Sequence, residues 1–115
     1  KLMEKIIKYS DFEKIDIRVG TIVHAIEYNK LKKPSILLKI DFGENIGLKK
    51  SSAQLQVNYK PQDLINKQVI AVVNFQPKQI GNILSEVLVL GLPDENNEPI
   101  LLSPEIKMIN GVRLY

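Results

Sequence analysis

From Ile15 onward apolar residues recur at every second position, and this pattern commits the chain to β-structure. Ile15, Ile17, Val19, Thr21, Val23 and Ala25 fall on one face of an extended chain, with Asp16, Arg18, Gly20, Ile22 and His24 on the other. Gly20, in the middle of this long strand, predicts a bend or bulge. After a basic loop at Asn29–Pro34, Ile36, Leu38, Ile40 and Phe42 alternate with Ser35, Leu37, Lys39 and Asp41 in a second strand. Gly43-Glu44-Asn45 turns the chain into a third, Ile46–Ser51. Val69–Val73 and Val87–Leu90 are continuously apolar, which suits strands buried on both faces.

Between these runs the pattern changes. Ser10-Asp11-Phe12-Glu13 matches a capping box and predicts a short helical turn. Ala53–Tyr59 lacks alternation and reads as a helical turn, while Pro61-Gln62-Asp63-Leu64 reads as a proline-initiated helix. Asn74–Ser85 is a polar loop, and Ile100–Leu102 adds another apolar run. Asn110-Gly111 signals a hairpin if strands flank it. A chain of 115 residues suits one domain. Five strands with a helix between the third and fourth make an OB arrangement. The expected fold is therefore all-β with short helices, a five-stranded barrel. Ile100, Leu101, Leu102, Met108, Ile109 and Leu114 exceed what such a barrel needs. They either pack back on it or join residues 1–14 in a two-fold interface built from segments 1–14 and 100–115.

Composition narrows the chemistry. Cysteine is absent and His24 is the only histidine, so thiolate catalysis, disulfides and multi-histidine metal sites are out. A Ser-His-Asp triad would need His24, which lies mid-strand and reads as structural or solvated. Asp41-Phe42-Gly43 matches the kinase magnesium motif by chance, since no glycine-rich or catalytic loop accompanies it. The chain reads as a binder, not an enzyme, and no cofactor is expected. The longest apolar run, Val69–Val73, is far short of the roughly 20 residues that span a bilayer. With no signal-peptide pattern at the start, a cytoplasmic protein without membrane insertion is expected.

Charge is uneven. Residues 30–60 hold seven lysines against Asp41 and Glu44, a local +5 within a net +3. Such a segment attracts polyanions or serves as a solvated face. Lys49-Lys50-Ser51-Ser52-Ala53-Gln54 sets cations beside hydroxyls and an amide, a mixture suited to phosphate attraction and hydrogen bonding. Asn74-Phe75-Gln76-Pro77-Lys78 follows directly after a buried strand that would aim it outward. Few aromatics, four Tyr, three Phe and no Trp, disfavour a row of base-stacking platforms. Recognition of folded RNA, or of protein, remains open.

The order of motifs carries a resemblance. Asp16-Ile17-Arg18-Val19-Gly20-Thr21-Ile22 resembles the opening of the tRNA-binding OB domain found at the C-terminus of methionyl-tRNA synthetases and in small stand-alone tRNA binders. Tyr59–Lys67, Val72–Lys78 and Ser85-Glu86 resemble its later segments in the correct order, over roughly residues 11–91. Ile40–Gly43, Lys50–Gln54, Val69–Phe75 and Ser85–Gly91 are closer still to the CsaA subfamily of secretion-related chaperones. The resemblance implies an OB-fold homodimer with its core at about residues 11–91 and dimerising flanks at 1–10 and 92–115. It implies binding of unfolded preproteins or export machinery, with tRNA-binding capacity, or alternatively a tRNA binder acting in trans. The ligand-binding residues it implies, with those read from charge, are Lys49, Lys50, Ser51, Gln54, Asn74, Gln76, Lys78, Ser85 and Glu86. Val87-Leu88 in place of a Gly-Met pair, and Gln76 and Gln79 in place of basic residues, depart from the tRNA binders.

Overall fold

The computed structural model describes residues 5–115. A short helix α1 (Tyr9–Glu13) leads into a long strand β1 (Ile17–Tyr28), then β2 (Ser35–Asp41) and β3 (Leu48–Ala53). Helix α2 (Pro61–Leu64) precedes β4 (Gln68–Val72), β5 (Lys78–Ile80), β6 (Ile83–Ser85), β7 (Leu88–Val89), β8 (Gly91–Pro93) and β9 (Pro99–Leu101). The main sheet is antiparallel with the order β3-β2-β1-β4-β7, and β5–β6 and β8–β9 are separate hairpins. No helix among the described residues is long and apolar enough to cross a membrane.

The sheet curls around Ile22, Ile36, Leu38, Ile40, Phe42, Leu64, Val69 and Ala71. Burying side chains such as these contributes about 1.5–3 kcal/mol each. The expected closed barrel is a half-barrel. Where β3 approaches the β6–β7 segment there is no ladder: Glu86 N–H donates to the Lys50 carbonyl at 2.8 Å, and Ser52 N–H donates to Ser85 Oγ at 3.1 Å. Helix α2 lies between the third and fourth sheet strands, as the proline-initiated reading expects.

Several local expectations are corrected. The helix begins before Ser10: Lys8 N–H donates to Asp11 Oδ2 at 3.0 Å, so Asp11 is the residue that caps it. The irregularity in β1 lies between Ile22 and His24, not at Gly20. The extra residue switches faces, so Ile22 and Ala25, of opposite parity, both reach the core. Gly20 answers a different need, because a Cβ there would sit 2.6 Å from Ile40 Cγ2 and 2.7 Å from Phe42 Cε1. Strand β3 starts at Leu48, two residues late, because Gly43 and Gly47 turn with φ of 86° and 81°. Ala53 is the last residue of β3, and the helical turn expected over Ala53–Tyr59 is present as one turn closed by Tyr59 N–H on the Leu55 carbonyl. Asn74–Ser85, expected as a loop, contains the β5–β6 hairpin around Gly81.

The tail departs furthest from expectation. Asn110-Gly111 makes a turn closed by Val112 N–H on the Ile109 carbonyl at 3.2 Å, but its flanks do not continue as a strand pair. Instead Gly111 N–H donates to Val19 O at 2.8 Å, Val19 N–H to Val112 O at 3.1 Å, and Leu114 N–H to Ile17 O at 2.8 Å. Part of the segment reserved for a two-fold interface therefore pairs with β1, along the edge that β2 leaves open. Gln68 anchors this return. Its Nε2 donates to Met108 O at 2.8 Å and its Oε1 accepts Met108 N–H at 2.8 Å.

The turn of the β8–β9 hairpin is organised by Asp94, which accepts from Asn58 Nδ2 at 2.9 Å, Glu98 N–H at 2.9 Å and Asn96 N–H at 2.8 Å. The Asn58 amide, then the two main-chain donors, hold its carboxyl below the ordinary 3.8. The folded form binds the proton less tightly than the unfolded chain. The stabilisation is therefore present above the ordinary value and lost as pH falls through the lower folded value. We expect the amide resonances of Asn96 and Glu98 to move together below that range. Asp94→Asn should abolish the transition, and shifts that persist in the variant would assign it elsewhere.

Candidate functional site

Strand alternation divides the β1–β2–β3 layer into a core face and an outer face, and the outer face carries the candidate site. Cross-strand partners project to the same side. Ile26 lies opposite Leu37 and His24 opposite Lys39, while Lys39 lies opposite Lys50 and Leu37 opposite Ser52. The β5–β6 hairpin stands beside this face. Together they enclose a groove of about 270 Å³ lined by His24, Ile26, Leu37, Leu38, Lys39, Lys50, Ser51, Asn82, Ile83 and Leu84. It is apolar along Ile26, Leu37, Ile83 and Leu84 and cationic at one end. Leu31, from the basic β1–β2 loop, reaches the hairpin tip, where a Cβ on Gly81 would sit 2.8 Å from Leu31 Cδ2.

The residues singled out from the sequence divide into two groups. Lys50, Gln54, Gln76 and Lys78 are exposed and Lys49 is half-buried. The others spend their polar atoms on hydrogen bonds within the chain. Ser51 is buried and its hydroxyl donates to Val87 O at 3.0 Å, so it is not a surface donor. Ser85 Oγ accepts from Ser52, and Glu86 Oε1 accepts Lys50 N–H at 2.9 Å. Asn74, expected to point at a ligand, uses both ends of its amide on the α1–β1 connection. Its Oδ1 accepts Asp16 N–H at 2.9 Å and its Nδ2 donates to Lys14 O at 2.8 Å. These side chains supply the main-chain hydrogen bonding that short, irregular edges cannot provide themselves.

The opening motif has the same character. Arg18 grips both oxygens of Asp16, at 2.6 and 3.2 Å, and donates to Gly111 O at 2.9 Å. Asp16-Ile17-Arg18 thus ties the tail to β1, and Gly20 clears room for Phe42. His24, read from the sequence as structural or solvated, and Lys39, counted there only within the basic segment, are groove residues. The signal was there in principle, in the pairing of two alternating strands, but the bulge in β1 hides the register.

Against known proteins, the tRNA binding domain family matches residues 17–113. The chaperone CsaA from Bacillus anthracis superposes with a TM-score of 0.91 at 43% identity, covering 96% of this chain and 100% of that one. The CsaA chaperone protein from Picrophilus torridus gives 0.88 at 50% identity, with 96% and 100% covered. The methionine–tRNA ligase of Pyrococcus horikoshii is 34% identical over 108 residues, 93% of this chain. That stretch is 14% of the ligase, so the chain spans only a small part of the curated relatives it matches. On the motif order, the half-barrel and these likenesses together, the chain belongs to the tRNA binding domain family and is of the CsaA type.

Proposed function

We propose that this chain is a non-enzymatic, cytoplasmic, homodimeric OB-fold protein that holds apolar segments of unfolded preproteins during export and retains a capacity to bind tRNA. The observation that carries the reading is the groove, an apolar trough with a cationic end on the outer face of β1, β2 and β3. Such a trough accepts side chains that a folded protein would already have buried. In this reading Lys50 meets the ligand in the groove, exposed Gln54, Gln76 and Lys78 and half-buried Lys49, which pairs with Ile40 on the other face of β3, lie outside it, and Ser51, Asn74, Ser85 and Glu86 hold the elements in place. The described part of the expected flanks, 5–10 and 92–115, supplies the two-fold contact around a core at about 11–91; residues 1–4 of the first flank lie outside the described residues. Exposed Ile6, Ile7, Tyr9, Ile106, Ile109 and Tyr115 support that assignment. A dimer doubles the grooves and raises avidity for long chains.

The test is aggregation of a chemically denatured client followed by light scattering. The protein should suppress scattering at stoichiometric amounts, and in sedimentation it should run at twice 13.1 kDa. No suppression, with no binding of signal-bearing peptides, overturns the chaperone reading. The second reading, a tRNA binder acting in trans, is favoured by the family match and the surplus of lysines. It predicts tRNA affinity falling with log salt at a slope of about −0.7 to −0.9 per phosphate neutralised. A shallow slope near zero would count against it.

A further inference from the structure

Asn110-Gly111 serves the fold as a turn, and it is also a pair of residues open to a reaction within the main chain. Of the nine asparagines, only Asn110 precedes a glycine. With no Cβ on the following residue, nothing screens that residue's nitrogen from the asparagine side-chain carbonyl. The turn requires the glycine. Gly111 has a φ of 92°, and a Cβ there would sit 2.5 Å from Phe42 O. The tail therefore cannot return onto β1 without the pair that makes it reactive.

The folded chain restrains both reacting groups. Gly111 N–H donates to Val19 O at 2.8 Å, and the pairing continues with Val19 N–H on Val112 O at 3.1 Å. Arg18 Nη1 donates to Gly111 O at 2.9 Å. On the asparagine side, Oδ1 accepts from Thr21 Oγ1 at 2.7 Å and from Gln68 Nε2 at 3.1 Å. An amide whose proton is bonded to a carbonyl gives that proton up less readily, and a peptide group fixed by strand pairing cannot rotate toward its neighbour's side chain.

We infer that Asn110 is a modification site gated by the tail: it deamidates only when residues 110–114 lift from β1, and the isoaspartyl product keeps them lifted. In the open state a base takes the Gly111 amide proton, and the nitrogen attacks Asn110 Cγ. The new bond closes a five-membered succinimide. The bond from Cγ to Nδ2 breaks, and ammonia leaves with a proton returned by that base. Water then adds to one of the two imide carbonyls and opens the ring. Addition at Cγ gives aspartate. Addition at the main-chain carbonyl carbon gives isoaspartate, in which the former side chain carries the main chain.

The two products meet the fold differently. Aspartate keeps the main-chain length, and its Oδ1 accepts from Thr21 and Gln68 as the amide did. Isoaspartate inserts one carbon ahead of Gly111. The Gly111 N–H and the Val112 carbonyl, which both pair with Val19, then fall out of step with it. The tail is released, and the edge of β1 at Ile17 and Val19 loses its cover.

The experiment follows deamidation of the intact chain by peptide mapping and mass spectrometry in mildly alkaline buffer, with a synthetic peptide of residues 106–115 as the unpaired reference. Hydrogen exchange at Gly111 is measured under the same conditions. The wild-type chain should deamidate more slowly than the peptide, by the factor that protects Gly111 from exchange, since both reactions need the same opening. Arg18→Ala, which frees the Gly111 carbonyl, should speed deamidation about tenfold to a hundredfold, in step with exchange at Gly111. Arg18→Lys should fall between the two, and it carries the test if the alanine variant does not fold. Asn110→Asp should leave exchange at Val19 and Leu114 as in wild type, whereas purified isoaspartyl chains should exchange faster at both. Deamidation of the folded chain at the peptide's rate, a rate unmoved in the Arg18 variants while exchange at Gly111 accelerates, or isoaspartyl chains that keep Val19 and Leu114 protected would each overturn the inference.

Discussion

Replacing Phe42 with alanine is expected to cost about 3–5 kcal/mol, a large share of the roughly 5–15 kcal/mol that holds a domain of this size together. The ring is 1% exposed and lies directly over Gly20, whose missing Cβ would sit 2.7 Å from its Cε1 and 2.8 Å from its Cδ1. No side chain at Gly20 can swing in to fill the space, so the cavity would persist. The Phe42 N–H also donates to Gly47 O at 3.0 Å, which fixes where the β2–β3 turn begins. Urea unfolding would show the loss as a lower midpoint with an unchanged slope. A cost below about 1 kcal/mol would mean that the site collapses around the gap. Gly20→Ala tests the same contact from the other side. It should cost about 1–3 kcal/mol by overpacking, and less than that in a Phe42→Leu background. Strict additivity of the two changes would disprove the contact.

Arg18→Ala is the second large effect, and it is local. The guanidinium makes two hydrogen bonds to Asp16 and one to Gly111 O, and hydrogen bonds to charged groups contribute about 1.5–3 kcal/mol each. Asp16 would be left with Arg113, 3.6 Å away, and the tail would lose its clamp on β1. Hydrogen exchange at Val19, Gly111 and Leu114 should accelerate about tenfold to a hundredfold, while amides of the β2–β3 ladder keep their protection. Arg18→Lys should recover only part, since an ammonium cannot make the bidentate pair. Uniform acceleration across the sheet would place Arg18 in global stability and refute a role in latching the tail.

These two residues also mark where sequence reading succeeds and where it stops. Phe42 was legible as a core residue because alternation over Ile36–Phe42 is unbroken, and the resulting strand runs Ser35–Asp41. Pro61–Leu64 was legible because proline presets the first turn of a helix. The β5–β6 hairpin was not, because three-residue strands carry no measurable period, and its polar residues read as loop. The faces of β1 were listed correctly up to the bulge and wrongly after it, since one inserted residue reverses parity. For the site, charge picked out Lys49, Lys50 and Lys78. It could not separate them from Asn74, Ser85 and Glu86, whose polar atoms complete main-chain hydrogen bonds with partners 33 to 60 positions away. Lys39 stood in the sequence as one of seven lysines, and only the register set it between His24 and Lys50.

The bulge between Ile22 and His24 has a consequence for how such a protein can change over time. It lets one strand give Ile22 and Ala25 to the interior and His24 and Ile26 to the groove. Exchanges at outward positions cost the fold little, typically within about 0.5 kcal/mol. Selection can therefore rewrite the groove one residue at a time while the interior stays as it is. A lineage could move its descendants from nucleic acid to nascent polypeptide without passing through an unstable ancestor.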